Sequence, residues 1–508
     1  MIRYRHRYWR PAALAAAIAL TACAAPPVRE VPPLPAAYFS AADGGSVAVD
    51  AHTLARWWQT FDDPLLAEFV DSALARNLDV QAALAELRRA RAQLRLSRAA
   101  LVPQLDVAGQ GQRQFLDAER IAGSPVGEAL GLSDTEHLDF WQFGLTANWE
   151  IDLFGANRLR SAAAERQFGA MQAQLVATRL AVAAGVAQGY VQARTLLAQR
   201  QVLDESIALA RESERVAEGI FRLGQATRLD VEAAGARRAA LEATLGDLDA
   251  GLAEATFAID TLTDQAPGTT RARLGDGGTV PRARAAIPTG QPLDLLRRRP
   301  DVIAAAAGLE AADAAALASR RDLFPKLGVS ATVGRTGFAL GGLSTAADSR
   351  SLAGSLSFPW FDFGAPRAAI DEADAQADAG FVTLRQTLAT ALEEVEVASA
   401  QHQARQRQRI AVDEAVARAE RTHAMARRTY EVGLANLSDV LEAQSELLDM
   451  RRQAVEMDSQ IALTQIALYR ALGGGWRIDD EAVDGLDAIR RELRTHPVPD
   501  RIRSSTAE

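Results

Sequence analysis

In 508 residues the chain has one cysteine and one lysine. With only Cys23 present, no internal disulfide can form. Aromatic residues make up just 6% of the chain, and its six histidines are scattered: His6, His52, His137, His402, His423 and His496. None of these has the spacing of a metal site or a catalytic triad, and no Gly-x4-Gly-Lys phosphate loop occurs. An enzyme is therefore not expected, and no catalytic residue, cofactor or metal ligand is assigned. A net charge of -9 gives no electrostatic footprint for nucleic acid. Beyond the N-terminal segment, no charge-free apolar run reaches the ~20 residues that a membrane helix requires.

The N-terminal segment is read as an export signal. Arg3, Arg5, Arg7 and Arg10 precede a short apolar stretch, Pro11 to Leu20, which ends in Leu20-Thr21-Ala22-Cys23. The apolar stretch is too short to span a bilayer, so a signal peptide over 1–22 is expected. The sole cysteine stands where a bacterial lipoprotein signal needs its acyl acceptor, with small residues before it. Cys23 is therefore the expected lipidation site. Ala24 rather than Asp follows it, which resembles an outer-membrane address. Residues 23–50, rich in Pro, Ala and Gly, read as a tether.

The rest of the chain is written twice. Asp79-Val80 and Leu101-Val102-Pro103-Gln104-Leu105 recur as Asp301-Val302 and Leu323-Phe324-Pro325-Lys326-Leu327, with Ser97-Arg98 and Ser319-Arg320 in register between them. Phe154-Gly155-Ala156 recurs as Phe363-Gly364-Ala365, and Gly224, Ala226 and Asp230-Val231 recur as Gly433, Ala435 and Asp439-Val440. The order of elements is the same in both halves, so a whole architecture is duplicated. The repeats are placed at 51–265 and 300–472, with a connector at 266–299 and a tail at 473–508.

Each half offers two strands, about 105–114 and 140–151 in the first and about 327–335 and 352–361 in the second. A Gly- and Ser-rich loop is expected between the second pair. Segments of ~10 residues cross an outer membrane when tilted. Trp141, Trp149, Phe358 and Trp360 would suit an interfacial aromatic girdle. Four strands cannot close a transmembrane barrel, because the smallest have eight. If they span, several protomers must pool them. Each half also offers a helical hairpin, at about 157–263 and 367–472, whose outgoing arm would be ~100 Å long. The return arms carry an apolar seam alternating three and four residues apart. It runs through Val440, Ala443, Leu447, Met450, Ala454, Met457, Ile461, Thr464 and Leu468, and in the first half from Val231 to Ile259. That is the pattern of left-handed coiled-coil packing.

With these elements in place, the chain resembles the TolC-like outer-membrane factors, in the lipoprotein branch that serves tripartite (RND-type) efflux systems. The resemblance rests on Trp57-Trp58-Gln59-Thr60-Phe61-Asp62-Asp63-Pro64-Leu65-Leu66, Asn77-Leu78-Asp79-Val80 and Trp149-Glu150-Ile151-Asp152-Leu153-Phe154-Gly155. It rests also on Arg297-Arg298-Arg299-Pro300-Asp301-Val302 and Ala471-Leu472-Gly473-Gly474-Gly475-Trp476. One departure is Phe363-Gly364-Ala365-Pro366, where the family often has a glycine pair. A proline in the first turn of a helix is tolerated.

The resemblance implies a mixed α and β fold with two structural repeats per chain. It implies a homotrimer whose 12-stranded transmembrane β-barrel continues into a long periplasmic α-helical barrel. The implied function is a passive outer-membrane exit duct, fed by an RND-type inner-membrane pump and a periplasmic adaptor (membrane fusion) protein. The carboxylates Asp439 and Glu442, with Ser438 beside them, would line the narrowed periplasmic gate. The turn residues Leu223, Gly224, Ala226, Val432, Gly433 and Leu434 would meet the adaptor. Asp230 also reads simply as favourable charge at a helix N-terminus. Two rival readings are an exit duct for type I protein secretion and a periplasm-spanning structural lipoprotein with no pore.

Overall fold

The computed structural model describes residues 35, 37–39, 54–117, 124, 125, 128, 135–224, 227–283, 287, 290–340, 343–359, 363–432 and 434–476. Cys23, the signal segment, the C-terminal tail beyond 476, Trp360, Ala226 and Gly433 lie outside them.

The two halves repeat element by element. In the first, α1 (Pro64–Arg76) and α2 (Leu78–Ala99) lead into β1 (Gln104–Asp117), β2 (Thr135–Ile151), α3 (Ala156–Arg222), α4 (Arg228–Ala243) and α5 (Leu245–Leu262). Two short helices follow, α6 (Thr269–Leu274) and α7 (Leu295–Arg298). The second half then gives α8 (Pro300–Arg321), β3 (Lys326–Leu340), β4 (Leu343–Ser357), α9 (Ala365–Glu431) and α10 (Leu437–Ala471). The long helices α3 and α9 each have 67 residues, and α2 and α8 each have 22.

Two compact units are formed. Among the described residues the first comprises Arg88–Met171 and Ala305–Leu384. It holds one antiparallel sheet in the order β1-β2-β3-β4. The register sets the chemistry of its faces, because side chains alternate along a strand. Val107 pairs with Leu145, Leu145 with Val333, and Trp149 with Val329. These residues share a face with Leu105, Trp141, Phe143, Leu327, Leu352 and Leu356. The opposite face carries Gln104, Asp106, Gln110, Gln112, Gln142, Thr146, Asn148, Ser330, Thr332, Thr336, Ser351 and Ser355. Large apolar side chains of the first face are open: Leu105 is 66% exposed, Val107 69% and Leu352 79%.

Three of the strands extend well past the expected limits, and β4 is displaced. It begins at Leu343 rather than near 352 and ends at Ser357, so Phe358 lies just beyond it and the expected Gly- and Ser-rich loop is mostly strand. Ser, Ala, Thr and Gly give no period-2 contrast, while ladder pairing to β3 runs unbroken from Lys326–Ser357 to Leu340–Leu343. The change in repeat offset falls between the strands, which are joined through residues 118–134 in one half and through 341–342 in the other. The first return arm, expected as one helix, divides at Thr244. There the hydroxyl donates to the Leu241 carbonyl at 2.7 Å. A Ser or Thr bonding back to the preceding turn competes with the helical ladder.

Several family motifs are joints of the fold. Asp152 accepts from the first helical amides of α3, Asn157 at 3.1 Å and Arg158 at 2.9 Å, and Phe154 stacks on Phe324 at 4.7 Å. The turns into α3 and α9 use Gly155 (φ 81°) and Gly364 (φ 94°), backbone conformations that a Cβ disfavours.

In the second unit, Pro32–Leu87, Gln172–Ala304 and the chain from Arg385, buried Trp57 stacks on Tyr469 with ring centroids 5.5 Å apart. Asp63 caps α1 through the amides of Leu65 and Leu66 and accepts from the Tyr190 hydroxyl at 2.7 Å. Asn77 caps α2 and donates to the Leu262 carbonyl at 3.0 Å. Arg299 is buried. It donates to both oxygens of Asp301 (3.0 and 2.6 Å), to Glu394 (2.7 Å) and to the Ala471 carbonyl (3.0 Å).

Candidate functional site

Both hairpin turns belong to the second unit, where α3, α4, α9 and α10 pack side by side. The return-arm seam does the packing: Val440, Ala443, Leu447, Ile461, Thr464 and Leu468 are buried, as are Ala234, Leu241, Leu252, Ala255 and Ile259. Nearest the turns, Ala217 of α3, Ala234 of α4 and Leu437 of α10 form one buried cluster, with Val231, Tyr430 and Leu441 against it. Farther up, Leu203, Ile207 and Ala210 meet Leu241 and Leu448. Small residues let the helices come close, and Leu fills the layers between.

Polar bonds tie the hairpins across this seam. Arg237 donates to the Ser445 hydroxyl at 2.6 Å. Arg451 bridges Glu205 of the first hairpin (3.2 Å) and Glu420 of the second (3.0 Å). Within the first hairpin, Arg238 joins Glu214 and Glu242, and Arg211 also holds Glu242. A cavity of about 310 Å³ lies between the hairpins, lined by Leu209, Val216 and Ile220 of α3, His423 and Tyr430 of α9, and Val440 of α10. Burial, with Arg427 and Arg451 nearby, holds His423 below the ordinary histidine value.

The turns themselves are apolar and open. Leu223 is 74% exposed, Val432 68% and Leu434 81%. Gly224 takes φ 74°, which a tight reversal there requires. Sequence reasoning missed Leu229, 75% exposed, and Phe221, 43% exposed, which extend the same surface. The signal for Leu229 was available, since it precedes the cap residue Asp230 and falls outside the seam.

Each return arm starts with a capping box. The Thr227 amide donates to Asp230 at 2.8 Å, and the Asp230 amide donates back to the Thr227 hydroxyl at 3.4 Å. Bonds from the Thr227 hydroxyl and amide hold the Asp230 carboxyl below the usual carboxylate range. Asn436 and Asp439 repeat the arrangement in α10, with the Asn436 amide donating to Asp439 at 3.2 Å. Asp439 is thus a helix-cap residue as well as a gate candidate. Ser438, Asp439 and Glu442 are all exposed, and Asp439 and Glu442 stand three residues apart on one side of the helix. Among the described residues no group of His, Cys, Asp and Glu is arranged to hold a metal ion.

Comparison with known proteins agrees with this architecture. The family model for outer membrane efflux proteins matches twice, over residues 69–265 and 292–474. The solvent efflux pump outer membrane protein SrpC of Pseudomonas putida is 29% identical over 455 residues, covering 89% of this chain and 94% of that protein. The cation efflux system protein CusC of Escherichia coli is 28% identical over 476 residues, covering 91% and 97%. The solved outer-membrane channel OprN superposes with a TM-score of 0.78 at 28% identity, over 89% of this chain and all of that one. The chain belongs to the outer membrane efflux protein family, and it is an outer-membrane efflux channel component.

Proposed function

We propose that three copies of this chain form one passive exit duct, with a 12-stranded barrel in the outer membrane and a helical barrel in the periplasm. The observation that carries this reading is the four-stranded sheet. One of its faces is richest in Leu, Val and Trp and the other in Gln, Ser and Thr, and among the described residues β1 and β4 each pair on one side only. An open edge is a pairing template. β4 of one protomer beside β1 of the next continues the antiparallel order and gives an even strand number, with apolar side chains toward lipid and Gln, Ser and Thr toward a lumen. Helix α8 supports a neighbour too: its apolar stretch is only 17% buried within one chain. Mass measurement of the detergent-solubilised protein should give three mature chains, and planar bilayers should show a conducting pore. A monodisperse conducting monomer would overturn the proposal.

The open apolar turns, Leu223, Val432 and Leu434, together with Gly224, Ala226 and Gly433, are proposed to receive a periplasmic adaptor protein that links the duct to an inner-membrane RND-type pump. Exposed apolar surface at a helix end marks an interaction site. Cys23 is proposed to carry a lipid that anchors the N-terminus in the outer membrane. The relatives are named for solvents in one case and cations in another, so the duct is generic and the pump selects.

At the periplasmic mouth, Asp439 and Glu442 are proposed to line the gate, with Ser438 beside them. On a threefold axis they place six carboxylates around one aperture, which attracts cations. Glu442→Gln isolates the charge from the cap, because Asp439 alone holds the Asn436 amide. Cation over anion selectivity should fall in Glu442→Gln, and fall further with Asp439→Asn added. Unchanged selectivity and unchanged block by multivalent cations in a trimeric double variant would place the gate elsewhere.

A further inference from the structure

The Leu- and Val-rich face of the sheet carries charge at two levels: Arg113 pairs with Asp139 beyond Trp141, and a second group lies nearer its middle. Arg335, Asp348 and Arg350 form that second group, all exposed. Asp348 stands directly across from Arg335, and Arg350, two residues on, stands across from Val333. With Phe143, Leu145 and Val107 they line an open depression of about 580 Å³. The cluster holds two guanidiniums and one carboxylate, so its net charge is positive. Its other neighbours are aromatic and aliphatic.

If this face meets lipid, as the proposed barrel requires, the depth of the cluster follows from the register. Ile151 pairs with Leu327 at one end of the ladder, and Phe143 pairs with Arg335 eight residues on. At ~3.3 Å per residue and a tilt near 40°, that is ~20 Å along the membrane normal, inside the upper edge of an apolar band ~25 Å tall. Trp141, two residues beyond Phe143 and on the same face, suits the aromatic girdle at that edge. Charged side chains on a lipid-facing strand are disfavoured with depth and are retained where they reach the interface. Arginine reaches it with a long stem and presents a planar fork matched to phosphate oxygens.

We propose that Arg335 and Arg350 bind the phosphate headgroup of an anionic outer-leaflet lipid, with Phe143, Leu145 and Val333 receiving the acyl chains. The proposal rests on the barrel reading above. It requires the lipid rather than free phosphate, because the depression is apolar on the side away from the arginines.

The test compares the purified trimer with an Arg335→Gln/Arg350→Gln variant, by native mass spectrometry with added diphosphoryl lipid A and with phosphatidylethanolamine. Loss of the charge-assisted bonds should weaken lipid A retention on the order of tenfold and leave phosphatidylethanolamine unchanged. Millimolar inorganic phosphate should not displace lipid A. Equal lipid A retention in both proteins, or full displacement by inorganic phosphate, overturns the site. A fluorophore on Leu352→Cys, on the same face but outside the depression and in a Cys23-free background, tests the outward face separately with bromine-tailed lipids. Quenching with unchanged lipid A retention overturns the site alone; no quenching overturns the barrel orientation and the site with it.

Discussion

Replacing Arg299 by Met keeps the stem and the volume and removes the guanidinium. That side chain is 8% exposed, while its partners Asp301 and Glu394 are 43% and 40% exposed. Water can therefore re-solvate both carboxylates, and each lost ion pair costs only up to about 1 kcal/mol. The Ala471 carbonyl is different. It ends α10, its bond from Arg299 is buried, and a stranded buried acceptor costs about 1–3 kcal/mol. A cation there also complements the negative end of the α10 dipole. The total is about 3 kcal/mol, well below the cost of stripping a fully buried pair. Unfolding of membrane proteins is commonly irreversible, so the readout is the unfolding rate in denaturant. If the bonds are broken in the unfolding transition state, the rate should rise on the order of a hundredfold. Arg299→Lys, which keeps the charge and loses the fork, should fall between.

The pH dependence fixes the assignment. Partial burial alone would raise the Asp301 carboxyl, but the bonds and charge of Arg299 outweigh it and hold the group below the usual carboxylate range. A depressed carboxylate adds stability that is complete above its unfolded value, near 4, and is lost as pH falls through the folded value. The gap between wild type and Arg299→Met should therefore be full at pH 7 and narrow below about pH 4. An unfolding rate for Arg299→Met within twofold of wild type, or a gap independent of pH, would refute the reasoning.

Three further outcomes are expected. Cys23→Ala should abolish metabolic labelling with palmitate; persistent labelling would remove the lipid anchor from the picture. His423, held below its ordinary value of 6.5, favours the neutral ring, so acidification from pH 7 to pH 5 should loosen the hairpin ends. Hydrogen-exchange protection in the peptides around 209–223, taken relative to the intrinsic rate at each pH, should fall with that step in wild type and not in His423→Gln. Thr227→Ala removes the cap hydroxyl of α4 and should cost about 1 kcal/mol, seen as faster exchange in its first turn; exchange equal to wild type would mean the capping box contributes nothing.

The duplication, the hairpins and the apolar seam were legible in the sequence because each depends on periodicity or on residues with one structural use. Gly155 and Gly364 recur because both turns need a positive φ. The limits of β4 were not legible. Its stretch from Leu343 to Ser357 has no contrast between faces strong enough to read, and its pairing is set by β3. The break at Thr244 was hidden for a related reason: it leaves the seam in phase, so Leu241, Leu245 and Leu248 keep their spacing on either side of it.

The residues that made the family recognisable and the residues that would govern transport are largely different. Trp57, Asp63, Asn77, Asp152 and Arg299 cap helices or join them, and such positions tolerate few alternatives. At the hairpin ends the two halves separate scaffold from function. Asp230 and Asp439 occupy equivalent places and close equivalent capping boxes, so the cap explains both. Glu442 has no such explanation. Its counterpart in the first repeat is Ala233, and the nearest acid there, Glu232, lies one residue earlier and meets Arg228 at 3.5 Å. A carboxylate that neither the duplication nor the cap demands, exposed beside one that both demand, makes Glu442 the stronger gate candidate of the pair.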